Sequence, residues 1–324
     1  MPITLSGNIN LQGNVSAQTN LELSVSRAFA VAQGTNRAIY TTDGTTWTET
    51  TLPASRIWLN AVHNPQNPGR ACAIGWGGTA YSTNYGQTWS AGSGMTSGTV
   101  DDIAPVTSTV WIVVSNSVNK YWKSTDSGET WTETTFPTGS VYNGKSAAGA
   151  GNGLAVILLG SLSYYTTTDG TNFTSRTLPT PPGGTNNFGR IVYSNGVYFA
   201  LEGTTNRYIM TSTDGINWTT RDVRGTAGLA SDLFRDVGYG NGTWMVACDL
   251  TSAYYTSTDL TTWTRRTMPN SRRWAGVTFI NNQWVMIVDG ETDNTKANSS
   301  DGVSWTETSL AVSAARWMGL EEVR

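Results

Sequence analysis

The sequence reads as an all-β chain, a seven-bladed β-propeller closed by its own C-terminal strand and preceded by an extended β arm. Three observations point there. A short turn sequence recurs seven times at near-constant spacing. The stretches between its copies have the apolar patterning of short strands. The last residues resemble the one strand that the first repeat lacks. The turn first occurs as Thr42-Asp43-Gly44-Thr45-Thr46-Trp47. It returns as Asn84, Gly86 and Trp89; Asp126, Gly128 and Trp131; Asp169, Gly170 and Phe173; Asp214, Gly215 and Trp218; Asp259 and Trp263; and Asp301, Gly302 and Trp305. Successive Asp or Asn positions lie 41, 42, 43, 45, 45 and 42 residues apart. A repeat of this length is the signature of a propeller or solenoid and decides the fold before any local reading.

Each copy has the chemistry of a tight hairpin. The Asp carboxylate accepts backbone N–H groups of its own turn, and Gly supplies positive φ without steric cost. The aromatic residue starts a strand and locks the turn against its neighbour. In the copy at Asp259, Leu260 stands in the Gly slot. The pattern resembles the Asp-box, or BNR, repeat (Ser/Thr-x-Asp-x-Gly-x-x-Trp) of sialidases, related glycosidases and non-enzymatic propellers. The copies at Asn84 and Asp126 have its full spacing; the other five lack one residue between Asp and aromatic. The resemblance implies a propeller and a structural role for Asp43, Asp126, Asp169, Asp214, Asp259 and Asp301. It does not imply one activity, because the box is a device shared by families with different functions.

Composition bounds the function. Only 13% of the 324 residues are charged and the net charge is −3, which gives no general attraction to nucleic acid or to an anionic membrane. No apolar run is long enough for a membrane span, and the N-terminus lacks the basic and apolar regions of a signal peptide. Cys72 and Cys248 lie in apolar strand-like runs of distant repeats, so two reduced buried thiols are expected. His63 is the single histidine, which removes most zinc sites and any histidine-based triad. No metal or cofactor is expected.

Residues 1–26 stand apart from the repeats. Ile3-Thr4-Leu5-Ser6-Gly7-Asn8 is followed by Ile9-Asn10-Leu11-Gln12-Gly13-Asn14, then by stretches starting at Val15 and Leu21. Apolar residues alternate at period two, so strands with one apolar face are expected. So short a segment cannot bury that face alone. It reads as a docking or oligomerising arm, or else as a disordered leader. From residue 27 to 324 the repeat governs. The last repeat divides into Trp274–Ile280, Gln283–Asp289, Thr295–Ser300 and Trp305–Leu310, four strands and thus one blade. The first repeat lacks its first strand, and Arg316-Trp317-Met318-Gly319-Leu320 resembles Arg273-Trp274-Ala275-Gly276-Val277. The C-terminus is therefore expected to complete the first blade and remove the open edges.

The starts of the innermost strands carry Arg56, Lys145, Arg190, Arg235, Arg273 and Arg316, with Trp58, Trp274 and Trp317 beside them. One reading is a basic ring with aromatic platforms at a channel mouth, suited to an acidic glycan or another anionic surface. The other is that these stems cover blade junctions and pair with Asp236, Glu321, Asp101 and Asp102. The sialidase resemblance implies an Arg-Ile-Pro signature, which does not occur, and a three-arginine clamp with a Tyr–Glu pair, which cannot be assigned to particular residues. A glycosidase needs two carboxylates flanking a bond, for which Asp101, Asp102, Asp236 and Glu202 are the candidates. No catalytic set is assigned, and the chain is expected not to be an enzyme.

The Thr/Asn/Gly-rich, lysine-poor composition and the β-repeat leader resemble phage tail and tail-fibre proteins. That resemblance implies a virion structural protein, made in the host cytoplasm, anchored to other tail proteins through residues 1–26 and displaying its propeller to a partner or a host-surface glycan. No nucleic acid and no membrane insertion are expected. A stand-alone glycan-binding or glycan-hydrolysing propeller is the alternative. A third is an intracellular assembly chaperone resembling photosystem II assembly factors.

Overall fold

The computed structural model describes residues 27–95, 98–115, 117, 119–137, 144–182, 187–203, 207–225, 232–249, 251–290 and 293–323. The expected arm at residues 1–26 lies outside them. Twenty-six strands and no helix are found among the described residues. They form a β-propeller of six hydrogen-bonded sheets. Five are four-stranded, each made of four consecutive antiparallel strands, such as Phe188–Ser194, Val197–Glu202, Tyr208–Ser212 and Thr219–Asp222.

The sixth sheet has six strands, in the order Trp317–Val323, Arg27–Thr41, Thr48–His63, Ala71–Gly75, Gly78–Ser82 and Ser90–Ala91. Seven separate four-stranded blades were expected, and six sheets are found. The reason lies in two long strands. Arg27–Thr41 and Thr48–His63 each run through two of the expected short strands. Pairing of Gln33 with Ile57 and of Thr35 with Arg56 joins the first two expected blades into one sheet. The C-terminal strand sits at the edge of this sheet, with Arg27 opposite Val323 and Ala32 opposite Trp317.

The second strands of the sheets are the most apolar, and the structure buries them on both faces: Trp111–Val114, Ala155–Gly160 and Val197–Glu202 are buried throughout. The core is therefore a set of seams between neighbouring sheets. One seam joins the chain's two ends. Ala28, Ala30, Ala32 and Ile39 pack with Ile280, Val285, Ile287, Leu310 and Trp317. Both thiols are free and buried.

The recurring turns connect the outer two strands. Asp169 Oδ1 accepts the backbone N–H groups of Thr171 and Asn172, each at 2.8 Å. Thr167 Oγ1 donates to the same carboxylate and accepts the Gly170 N–H at 2.8 Å. Those N–H groups hold the Asp169 carboxyl down at about 2. The geometry recurs at Asp43, Asp126, Asp214, Asp259 and Asp301, and with an Asn side chain at Asn84. Leu260, in the glycine slot, takes φ 61.

Candidate functional site

In an antiparallel four-stranded sheet, the start of the first strand and the end of the second share one end. The turn between the third and fourth strands lies at the other. The arginines are therefore on one face of the propeller and the Asp turns on the opposite face.

A three-residue step recurs at the start of the innermost strands. The register slips between Trp58 and Asn60, Phe188 and Arg190, Phe234 and Asp236, and Trp274 and Gly276. Two further sheets have the same two-against-one opposition. Asp101 and Asp102 face Val114, and Lys145 and Ser146 face Leu158. These are β-bulges, which re-aim side chains at sheet edges and rims. The residue before the bulge is buried at Trp58, Phe188, Phe234 and Trp274, and Trp317, at the start of the C-terminal strand, is fully buried too. The bulged residues Leu59, Asp101, Lys145, Gly189 and Arg235 line a mouth cavity of about 290 Å³. The residues after the bulge, including Asn60, Asp102, Arg190 and Asp236, reach a second cavity of about 330 Å³ along the channel.

The expected basic ring thus resolves into separate tiers. Arg273 and Arg316 precede the anchors, Lys145 and Arg235 are at bulges, and Arg190 lies deeper. Arg56 belongs to none of these: its guanidinium donates to the carbonyls of Trp76 and Gly77. Trp58, Trp274 and Trp317 are buried anchors, so none of these three indoles is available as a sugar platform. The stem of Lys145 lies along Gly160.

The charges at the mouth are crowded. Asp289, whose side chain is 2% exposed, receives Arg316 at 2.9 Å, Arg235 at 3.4 Å and Arg273 at 3.6 Å. Asp249 receives Arg273 at 3.4 Å and Arg235 at 3.7 Å. Three guanidiniums therefore share two carboxylates. Burial, then the Arg190 guanidinium nearby, pushes the Arg235 pKa down. The Nε atoms of Arg190 and Arg235 are both buried without a hydrogen-bond partner. Pairing with Asp101, Asp102, Asp236 or Glu321 was one expectation for these bases; the carboxylates that hold Arg235, Arg273 and Arg316 are Asp249 and Asp289. A signal for them was in the sequence: an acid closes the apolar second strand in three successive repeats, at Glu202, Asp249 and Asp289.

The other carboxylates of interest have structural duties. Asp102 is saturated by Asn60 Nδ2 at 2.8 Å, Ser146 Oγ at 2.6 Å and the N–H groups of Ile103 and Ala147 at 2.9 and 3.0 Å. Glu202 is buried and accepts the N–H groups of Arg207 and Tyr208, each at 3.0 Å. Asp236 accepts the Val277 N–H at 3.1 Å. Burial drives its carboxyl up to about 6 against the opposing pull of Arg190. At the far end of the channel, His63 Nδ1 and Glu321 lie 2.8 Å apart. Among the described residues, no group of three or more His, Cys, Asp or Glu side chains is placed to hold a metal ion.

No family model matches the chain, and no curated protein does. Solved structures do match. YCF48 from Cyanidioschyzon merolae is 14% identical over 83% of this chain and 90% of that one, with a TM-score of 0.65. A streptogramin B lyase is 12% identical over 91% of each chain, with a TM-score of 0.65. Virginiamycin B lyase from Staphylococcus aureus is 14% identical over 91% of this chain and 92% of that one, with a TM-score of 0.63. At such identities the likeness is one of fold: this chain is a β-propeller, and its neighbours in fold include lyases.

Proposed function

We propose that the chain is a non-enzymatic binding propeller whose arginine mouth grips anionic groups, and that it works as a tail or baseplate component of a phage particle. One observation carries the binding part. The guanidiniums of Arg235, Arg273 and Arg316 converge at one mouth on Asp249 and Asp289. A carboxylate or sulfate arriving there meets several guanidiniums able to make charge-assisted, bidentate hydrogen bonds. The ligand class is an acidic glycan or an acidic patch on a partner protein. The non-enzymatic reading is supported by Asp102 and Glu202, whose hydrogen bonds to their surroundings leave them poor general acids or bases.

The particle reading rests on the alternating leader, whose apolar face needs a partner, and on the low-charge, Thr- and Asn-rich composition. In that reading residues 1–26 anchor the chain and the propeller presents its mouth. The likeness in fold to YCF48 favours a second reading, an assembly factor that holds one client protein. An array of acidic and neutral glycans tests the mouth. Binding confined to acidic glycans and abolished by Arg235→Ala is the expected result; binding to neutral glycans that survives the substitution sinks the proposal. The solution mass of the full chain, with and without residues 1–26, tests the anchor. Two identical folded monomers would remove it.

A further inference from the structure

The channel behind the mouth contains a contrast. Asp102 and Asp236 occupy equivalent places, each following a bulge, yet only Asp102 is saturated. Asp236 is 9% exposed and takes the backbone N–H groups of Val277 and Val237, leaving acceptor capacity unused. Arg190 lines the same cavity, its Nε is buried without a partner, and it forms no ion pair among the described residues. Opposite charges thus face one cavity of about 330 Å³ and attract across it without a direct ion pair. Ile191, Val237, Val277 and Leu320 border it, with their side chains packed into the seams between sheets.

We propose that this channel cavity binds a compact zwitterion of the α-amino acid class, with its carboxylate on Arg190 and its ammonium on Asp236. A concave cavity of this size with a few convergent charged groups is a usual form of a small-molecule site. A neutral sugar would offer a counter-charge to neither group, and a singly charged ligand to only one. A zwitterion answers both. The other charges near Asp236 do not compete. Glu321 is engaged with His63, and Arg235 is turned to the mouth by its bulge. Burial raises the Asp236 carboxyl, and the Arg190 guanidinium across the cavity offsets that only in part.

Isothermal titration of the full chain with L-alanine, L-leucine and L-phenylalanine tests the site. For the best binder, the amide, which lacks the carboxylate, and the deaminated acid, which lacks the ammonium, serve as controls. The expected result is that each control binds about tenfold weaker or worse, a difference near 1.4 kcal/mol. Arg190→Gln should erase the preference over the amide. Asp236→Asn, which keeps an acceptor for the Val277 N–H, should erase the preference over the deaminated acid. Arg273→Ala, at a mouth residue that borders neither cavity, should leave amino-acid binding unchanged, which separates this site from the anion-binding mouth. Thermal melts of the variants verify that they are folded. No binding of any amino acid at millimolar concentration would overturn the proposal, as would a neutral hexose binding equally well or folded variants that keep both preferences.

Discussion

Gly128 and Asp236 illustrate how much a single position carries. Gly128 combines φ 88 with a close approach: a Cβ there would stand 2.1 Å from Cys72 Sγ in the neighbouring sheet. Gly242 has φ 74 but open space where a Cβ would go. Gly242→Ala should therefore cost about 1 kcal/mol for backbone strain alone, and Gly128→Ala about 2–4 kcal/mol for strain plus overpacking. Urea melts of the two variants measure the difference. Asp236 makes stability depend on pH. Its carboxyl ionises at 3.8 in a solvated chain and at about 6 in the fold. Below the lower value both states are protonated and burial carries no ionic penalty. The penalty grows as pH rises toward about 6 and is constant above it. Asp236→Asn should thus stabilise the protein at neutral pH, by about 3 kcal/mol at most, with no gain at the acidic end. Denaturant midpoints across that range read the effect.

At the level of the strand, the bulge is the device that makes the mouth. It buries an anchor, tips the next residue toward the rim and turns the one after into the channel. The repeat, the turn chemistry and the apolar second strands were legible in the sequence, because each follows from local residue types. The bulge was not: an inserted residue leaves no compositional mark, so Arg56, Lys145, Arg190, Arg235, Arg273 and Arg316 read as one ring. The anchors were misread for a related reason. Trp58, Trp274 and Trp317 announce an aromatic beside a base, while their burial follows from strand pairing across the ring. Asp289 is the point on which the strand starts converge. Asp289→Asn should destabilise by about 2–4 kcal/mol, since it leaves three guanidiniums around a buried neutral side chain. Sulfate should restore more of that loss than chloride at equal ionic strength, as thermal melts in the two salts would reveal.

The ring as a whole depends on joining its ends. Trp317 is fully buried in the seam between the strand that begins at Arg27 and the last four-stranded sheet. Trp317→Ala should cost about 3–5 kcal/mol, read by denaturant unfolding. Whole-molecule topology was visible in the repeat but not the count of sheets. Two long strands fuse what the spacing divides, and strand length is set by pairing rather than by the repeat. The ring gathers Arg190, Arg235, Arg273 and Arg316 from separate repeats onto one face, as the proposed anion-binding mouth requires. Titration of the full chain with a short oligogalacturonate, at low and high salt, puts that gathering to the test alongside the Arg235→Ala, Arg273→Ala double variant. Affinity should fall as salt rises, and the double variant should bind at least about tenfold more weakly with a flatter salt dependence. Equal binding by the two proteins, or binding indifferent to salt, would contradict an arginine mouth built for anions.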